Sequence, residues 1–129
     1  EKIKNEEKCN LFIASGWRPG WSTDYVAVML ASRFQTKRLI IATKIPYVYD
    51  EDIEKNKRAK PLKDISWKEY RKMVGDVWTP GLKSPVDPIA AKLAQSLKLE
   101  AIVARGTDLE NMENILRGKK FRGTLINKE

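Results

Sequence analysis

The sequence predicts an α/β protein, a three-layer αβα sandwich built around a mostly parallel sheet. Short apolar runs that are typical of strands alternate along the chain with longer stretches of helical periodicity. The clearest run, residues 38–42, is apolar after its first residue, as expected of a strand covered by helices on both faces. The chain has 129 residues, which suits one domain with its own core. We therefore treat residues 1–129 as a single domain.

The first part of the chain predicts two strands and one helix. Residues 11–14 form an apolar run that predicts a strand, and the apolar periodicity of residues 24–35 predicts a helix. The strand at residues 38–42 follows. Residues 50–61 are polar and charged, which indicates a surface excursion.

The next helix has clear start and stop signals. Ser66 and Glu69 have the spacing of a capping box, and Gly75 is the residue type that commonly ends a helix. Trp67, in the first turn, and Trp78, beyond the end, are expected to pack in the core or at an interface.

The remaining elements follow a regular alternation. Asp87 and Pro88 are a capping residue and a first-turn residue, so an apolar-faced helix is predicted directly after them. A strand is predicted at residues 101–104, a helix at 108–117 and a closing strand at 123–126. Strands that alternate with helices in this way favour parallel pairing.

Composition excludes several kinds of protein. The chain has one cysteine and no histidine, which rules out a disulfide framework and catalysis by Ser–His or Cys–His pairs within this sequence, and makes a zinc site very unfavourable. No apolar run approaches the roughly 20 residues that span a bilayer, and the charged N-terminus lacks the features of a secretory signal. The sequence therefore predicts a cytoplasmic protein that does not act in a membrane, without a metal site of its own.

The net charge of +8 permits a basic nucleic-acid-binding domain, which stays open as an alternative. Basic residues alternate with acidic ones along most of the chain, however, as they do on solvated helix faces. The densest basic cluster, residues 117–122, is short and follows a predicted helix, where cations complement the helix dipole. An anionic small ligand such as a nucleotide is favoured over nucleic acid.

The segment at residues 15–24 has the composition of a phosphate-binding turn. It contains glycines, a proline and hydroxyl side chains between a predicted strand and a predicted helix, and backbone N–H groups at a helix start attract anions. Ser22 or Thr23 would cap the helix, and Asp24 would lie in its first turn. The spacing fits neither a P-loop nor a dinucleotide-binding fingerprint. An ordinary capped turn is the alternative.

A second loop is expected beside this one. Residues 15–23 and 43–52 each follow the carboxyl end of a predicted strand. In a parallel sheet, ligands collect beyond those ends. The two loops are therefore predicted to line one crevice.

Four segments, in order, resemble archaeal-type UMP kinases of the amino-acid kinase superfamily. Residues 15–24 (SGWRPGWSTD) resemble the family's G-G-x-x-P-G-x-T-T-D, and residues 43–52 (TKIPYVYDED) its T-x-V-D-G-V-Y-x-x-D. Residues 87–92 (DPIAAK) are similar to D-P-L-A-A-K, and residues 123–126 (GTLI) to G-T-x-I. The resemblance implies the C-terminal, nucleotide-binding half of an amino-acid kinase fold.

The resemblance also implies a reaction and the residues that carry it. The activity would be phosphoryl transfer from ATP with Mg²⁺ to UMP, giving ADP and UDP. Asp24 would be the catalytic residue, facing the transferred phosphoryl group. ATP would be held by Thr43, Tyr49 and Asp52. UMP would be held by Trp17, Arg18, Pro19, Gly20, Trp21, Ser22 and Thr23.

Two departures from the family pattern leave alternatives open. Pro46 and Tyr47 stand where the family has Asp-Gly, which changes the turn under ATP. The family's Gly-rich phosphate loop and phosphate-binding lysine have no counterpart before Leu11. The expected partners are therefore nucleotides and either a missing N-terminal half or further copies of the chain. A non-catalytic nucleotide- or oxyanion-binding module is the second interpretation.

Overall fold

A computed structural model describes residues 11–77 and 84–127. Over these residues the helices are α1 (Thr23–Arg33), α2 (Trp67–Val74), α3 (Pro88–Ser96) and α4 (Leu109–Leu116). The strands are β1 (Arg38–Thr43), β2 (Val48–Tyr49), β3 (Pro61–Leu62), β4 (Asp64–Ser66), β5 (Glu100–Arg105) and β6 (Thr124–Asn127). Trp78 lies outside the described residues, and so does part of the loop that leads to Asp87.

The main sheet has four strands in the order β1-β5-β6-β4. β1 pairs with β5 in parallel, and β4 pairs with β6 in parallel. β5 and β6 are antiparallel, so the predicted mostly parallel α/β sheet is confirmed with one reversed neighbour. β2 and β3 form a separate antiparallel pair.

Helices cover both faces of the main sheet. Along β5, Ala101 and Val103 belong to a core cluster that also contains residues of α1, α2 and α3. The alternate residues, Ile102 and Ala104, pack with Ile115 of α4 on the opposite face. The period of two along a strand thus divides β5 between two cores. The predicted three-layer αβα arrangement is confirmed.

The larger core is anchored by two aromatic side chains of α2. Trp67 and Tyr70 are both fully buried, and their rings meet edge to face with centroids 5.8 Å apart. The indole Nε1 of Trp67 donates to the carbonyl of Leu99, at 2.7 Å. The expectation that Trp67 packs in the core is confirmed.

The local helix signals are confirmed at both predicted caps. Ser66 and Glu69 form a reciprocal capping box, and Gly75 ends α2 with a φ of 79°. The Asp87 carboxylate accepts from the backbone N–H groups of Ile89 and Ala90, each at 2.9 Å. Both helices begin where the sequence places them because these signals are local.

The predicted strand at residues 11–14 is wrong. The segment has no regular secondary structure, and the side chains of Leu11 and Ile13 are 74% and 86% exposed. Within the described residues β1 pairs with β5 alone, and the ring of Phe12 instead contacts that of Phe34, 5.6 Å away. An apolar run becomes a strand only where a neighbouring strand satisfies its backbone.

The polar segment 50–61 is exposed along most of its length, as predicted, but it lies inside a hairpin that the sequence did not reveal. β2 and β3 are two residues each, too short to show a pattern of alternation. β4, with three residues, was missed for the same reason.

Candidate functional site

Two helix N-termini meet at one edge of the main sheet. α1 is joined to β1 by a four-residue connection and α3 to β5 by a three-residue one, so each helix runs antiparallel to the strand that follows it. Because β1 and β5 are parallel, both helices begin at the carboxyl edge of the sheet. The crevice loop 43–52 leaves β1 at that same edge.

Ser22, Asp24 and Asp87 form a cluster where the helices meet. The backbone N–H of Asp87 donates to Oδ2 of Asp24, at 3.2 Å, across the two helix starts. The Ser22 hydroxyl donates to Oδ2 of Asp87, and its oxygen accepts from the backbone N–H of Tyr25, at 3.0 Å. Ser22 is therefore the N-cap of α1 and also a link to α3.

The electrostatic state of this cluster is set mainly by burial. Burial raises the pKa of the Asp24 carboxyl above its ordinary value of 3.8, and the nearby charge of Asp87 raises it further, while the N–H donated by Asp87 acts in the opposite direction. A carboxylate that is desolvated beside another carboxylate is stabilised by any cation that approaches it. The two acids therefore prefer a ligand that brings positive charge.

Tyr70 of α2 holds the chain directly before α3. Its hydroxyl donates to the carbonyl of Val86 and accepts from the N–H of the same residue, both at 2.8 Å. Burial raises the pKa of this hydroxyl, and the charges of Asp24 and Asp87 add to the effect. Tyr70 therefore keeps its proton and fixes the residue directly before Asp87.

A cleft of about 210 Å³ opens beside this support. One wall is the loop and hairpin after β1, and the other is α2 with the chain before α3. The lining residues are Ile45, Val48, Tyr49, Asp50, Glu51, Asp52, Ile53, Tyr70, Met73, Val74, Ser84 and Pro85. Apolar walls with a few carboxylates at the mouth suit a flat heterocycle that carries polar substituents.

The structure brings two of the three predicted ATP residues to this cleft. Tyr49 and Asp52 line it. Oδ1 of Asp52 accepts from the backbone N–H of Glu54, at 2.9 Å, which fixes the turn around it. Thr43 is not among the lining residues; its hydroxyl donates to the carbonyl of Ile45, at 2.7 Å, and shapes the start of the loop.

The predicted UMP loop carries a ladder of aromatic rings. Trp17 and Trp21 stack with centroids 6.5 Å apart, and Trp21 stacks on Tyr25 at 4.1 Å. The Arg18 guanidinium lies 4.6 Å from the centre of the Trp17 ring. Trp17 is 52% exposed and Trp21 is 39% exposed, so this ladder faces solvent.

The backbone of this loop turns sharply before α1. The N–H of Trp21 donates to the carbonyl of Arg18, at 3.2 Å, across Pro19 and Gly20. Gly20 has a φ of 86°, a value that glycine adopts without strain. Thr23, the first residue of α1, is exposed at the mouth of the turn.

The family model "Amino acid kinase family" matches residues 12–105 of this chain. The chain belongs to the amino acid kinase family. The resemblance found in the sequence is thereby confirmed at the level of the family.

Relatives of this amino acid kinase chain include uridylate kinases of archaea. It is 30% identical over 116 residues to the uridylate kinase of Hyperthermus butylicus, covering 90% of this chain and 51% of that protein. It is 33% identical over 127 residues to that of Methanococcus maripaludis, covering 98% of this chain and 55% of that protein. The chain thus spans about half the length of these relatives.

Solved structures show the same arrangement of elements. The uridylate kinase of Archaeoglobus fulgidus superposes with a TM-score of 0.71 at 27% identity, over 86% of this chain and 49% of that one. The UMP kinase of Bacillus anthracis gives a TM-score of 0.72 at 25% identity, over 87% of this chain and 43% of that one. The fold of this amino acid kinase segment is therefore that of a part of these enzymes.

Sequence reasoning missed the contacts that two side chains make at this site. Asp87 was predicted mainly as a helix cap, and its contacts with Ser22 and Asp24 join residues more than 60 positions apart. Tyr70 was not singled out, although its position four residues after Ser66 places it one turn into a well-capped helix.

The described residues hold neither a ready-made metal cluster nor a membrane-spanning helix. Over residues 11–77 and 84–127, no group of three or more His, Cys, Asp or Glu side chains is arranged to hold a metal ion. The helices of the same residues are all too short or too polar to cross a bilayer.

Proposed function

We propose that this chain is the nucleotide-binding half of a UMP kinase-type phosphotransferase, which transfers the γ-phosphoryl group of ATP to UMP and gives ADP and UDP. The observation that carries the proposal is the meeting of two helix N-termini, with Asp24 and Asp87, beside the cleft that Tyr49 and Asp52 line. The archaeal relatives named above, all uridylate kinases, support the choice of substrate.

ATP enters the cleft base first. The apolar side chains of Ile45, Met73 and Val74 provide walls for the adenine, and Tyr49 packs against the base or ribose. Asp52, at the mouth, accepts a hydrogen bond from the ribose. Thr43 contributes through the loop that its hydroxyl shapes. The phosphates then point to the helix starts, whose dipoles stabilise anions.

UMP binds on the side of α1. The hydroxyls of Ser22 and Thr23 and the backbone of the turn at Pro19 and Gly20 hold its phosphate, and the Arg18 guanidinium offers a charged partner. Trp17 and Trp21 present flat faces that a pyrimidine can stack on.

Asp24 orients the charged groups around the phosphoryl group in transfer. Phosphoryl transfer depends on positioning and on neutralisation of charge rather than on a covalent enzyme intermediate, so the absence of histidine from the chain is no obstacle. Mg²⁺ would neutralise charge on the phosphates of ATP, and carboxylate oxygens are ligands that it favours. Asp24 and Asp87, whose charges repel each other, are the residues that would accept it.

A partner completes the enzyme. Because the chain spans about half of its relatives, the rest of the phosphate machinery comes from the half that the match leaves out. We propose that the chain alone binds Mg-ATP and that turnover needs an N-terminal half, or assembly with further copies.

The first prediction concerns ATP binding by the chain itself. We expect weak Mg-ATP binding in isothermal titration calorimetry, and about tenfold weaker binding in Asp52→Ala, since tenfold is the loss of about one good polar contact. Thr43→Ala should weaken binding as well, because it removes the hydroxyl that shapes the loop. Glu113→Ala is the matched control, because it removes an exposed carboxylate that pairs with Arg117 on the far side of the sheet. No heat from Mg-ATP with the parent chain would refute the proposal.

A non-catalytic nucleotide- or oxyanion-binding module is the second candidate. Pro46 and Tyr47, in place of the family's Asp-Gly, favour it because proline removes a backbone donor from the turn beside the cleft. Mg-ATP binding without UDP formation, after an N-terminal half from an archaeal relative has been supplied, would decide for this candidate. Steep loss of RNA or DNA binding with salt, without nucleotide affinity, would instead decide for a nucleic-acid-binding domain.

A further inference from the structure

We propose that Thr124 is the positioning residue of the nucleotide loop: its hydroxyl joins both strands of the β2–β3 hairpin to the main sheet and thereby holds Tyr49 and Asp52 at the cleft. The inference rests on the proposed function and adds a residue that does not itself contact the nucleotide.

The Thr124 hydroxyl is fully committed to the hairpin. Its oxygen accepts from the backbone N–H of Val48 in β2, at 2.8 Å, and its proton goes to the carbonyl of Leu62 in β3. Thr124 is 0% exposed and Val48 is 2% exposed. Neither water nor another conformer can easily replace these two bonds, because a buried backbone group that loses its partner is strongly destabilising.

The hairpin has little pairing of its own. β2 and β3 share two residue pairs, Val48 with Leu62 and Tyr49 with Pro61, and a proline has no N–H to donate. Beyond them, Asp50 and Lys60 exchange two bonds, at 3.1 Å and 2.7 Å. These contacts hold the hairpin together, but they do not attach it to the main sheet.

Thr124 makes that attachment for both strands at once. Val48 and Leu62 face each other across the hairpin, so one hydroxyl between them fixes the register and the height of the pair above the sheet. On the β3 side the attachment continues through the N–H of Leu125, which donates to the carbonyl of Lys63 at 2.9 Å. On the β2 side, the bond from the Val48 N–H to Thr124 reaches β6.

The residue directly before Thr124 passes close to the backbone of β5. A Cβ added to Gly123 would come within 2.6 Å of the carbonyl oxygen of Val103, so only glycine fits before Thr124. The antiparallel pairing sets Thr124 opposite Val103, near the carboxyl end of β5. That is the edge of the sheet at which the cleft opens.

The proposal predicts that removal of the Thr124 hydroxyl weakens nucleotide binding more than a general loss of stability would. Tyr49 follows Val48 directly, so release of the Val48 N–H lets the cleft wall move while the main sheet stays intact. Thr124→Val keeps the shape of the side chain and removes both hydrogen bonds, whereas Thr124→Ser keeps the hydroxyl.

The experiment compares these variants with Ile115→Val, which trims a buried side chain of the opposite core. Mg-ATP affinity is measured by calorimetry, and exchange of the Val48 amide hydrogen by NMR without nucleotide. We expect Thr124→Val to bind Mg-ATP about tenfold more weakly and to exchange the Val48 amide about tenfold faster. Thr124→Ser and Ile115→Val should stay within about twofold of the parent in both measurements.

The outcomes separate the two proposals. If the parent binds Mg-ATP and Thr124→Val binds it equally well, or if the Val48 amide is unaffected, the positioning role is refuted and the proposed function stands. If the parent binds no Mg-ATP, the proposed function fails, and the positioning role for a nucleotide fails with it, whatever the Val48 amide does. Should Thr124→Val not fold, Thr124→Ala is measured below its own Tm with the same criteria.

Discussion

The folded structure disfavours the ionised form of Asp24, which is the form that the proposed chemistry requires. Burial and the charge of Asp87 raise the pKa of this carboxyl, so the folded chain holds the proton more tightly than the unfolded chain does. Stability therefore falls as the pH rises from the ordinary pKa of 3.8 in the unfolded chain through the raised pKa of the folded state. Above that window Asp24 is ionised and its full unfavourable effect is present.

Replacement of Asp24 by asparagine should separate stability from activity. At pH 7 we expect Asp24→Asn to raise the Tm by about 2 °C, a small shift for a domain of this size, because the amide is neutral and can still accept the Asp87 N–H. At pH 3, where the aspartate is protonated, the gain should disappear. In an enzyme completed with an N-terminal half, the same variant should lose phosphoryl transfer.

Scanning calorimetry at the two pH values tests the stability, with Asp64→Asn as the control. Asp64 is an exposed carboxylate that also accepts one hydrogen bond, from Asn127. A lower Tm for Asp24→Asn at pH 7, or an undiminished rate of UDP formation, would contradict the role assigned to Asp24.

Residues of the site differ in how far the sequence could predict them. Ser22 and Asp24 are part of a local signal, a capped turn before an apolar helix, and the structure confirms Ser22 as the cap. Tyr70 and Asp87 are brought together by the contact of α2 with the chain before α3, which no local pattern reports. The assignment of Thr43, Tyr49 and Asp52 to ATP stays a prediction.

Among the elements, α3 has an N-cap that also links it to α1. Its N-cap, Asp87, binds two amides of its own helix and the Ser22 hydroxyl of α1. The cap of α2, Ser66, lies at the other edge of the sheet and binds within its own capping box. Two caps of the same kind therefore differ in whether they touch the site.

This difference gives a matched pair of variants. Asp87→Ala should lower the free energy of unfolding by about 2 kcal/mol, the upper part of the range for a lost N-cap, and should weaken Mg-ATP binding because it releases α3 from α1. Ser66→Ala should cost about 1 kcal/mol and leave Mg-ATP affinity unchanged. Urea unfolding and calorimetry measure the two effects. Equal losses of affinity in both variants would argue that caps act on the site only through overall stability.

The elements that the sequence predicted are those whose signals are local. β1 and β5 are nearly unbroken apolar runs, although β5 is buried along its centre and β1 is buried only at Ile41. α2 and α3 begin at caps that three or four residues define. The hairpin β2–β3 depends on Thr124, more than 60 residues away from Leu62 in sequence. Residues 11–14 have the composition of a strand but form no regular secondary structure, so composition alone gave the wrong answer.

At the scale of the whole molecule, one side is apolar without being covered. α1 is apolar almost all round, which is typical of a helix buried on both sides, yet Met29 is 39% exposed and Phe34 is 44% exposed. Phe12 packs on Phe34 at its end. An apolar surface of this kind commonly marks an interface, in agreement with a chain that spans about half of its relatives.

We expect the chain to associate with itself in the absence of a partner. In sedimentation velocity, the average mass should rise above 14.8 kDa as the concentration increases, and Phe34→Ser should suppress that rise. Leu116→Ser, at a residue that is 75% exposed on α4, is the control from the other face and should leave association unchanged. A monomer at every concentration would contradict the prediction.

The order of strands has a consequence for synthesis. β4 and β5 are joined only by β6 in the four-stranded sheet, so the last described strand to leave the ribosome is an inner one. Until residues 124–127 have been synthesised, the β1–β5 pair is not joined to β4, and the hairpin lacks its two bonds to Thr124. Loss of residues 124–127 would therefore remove an inner strand and divide the sheet.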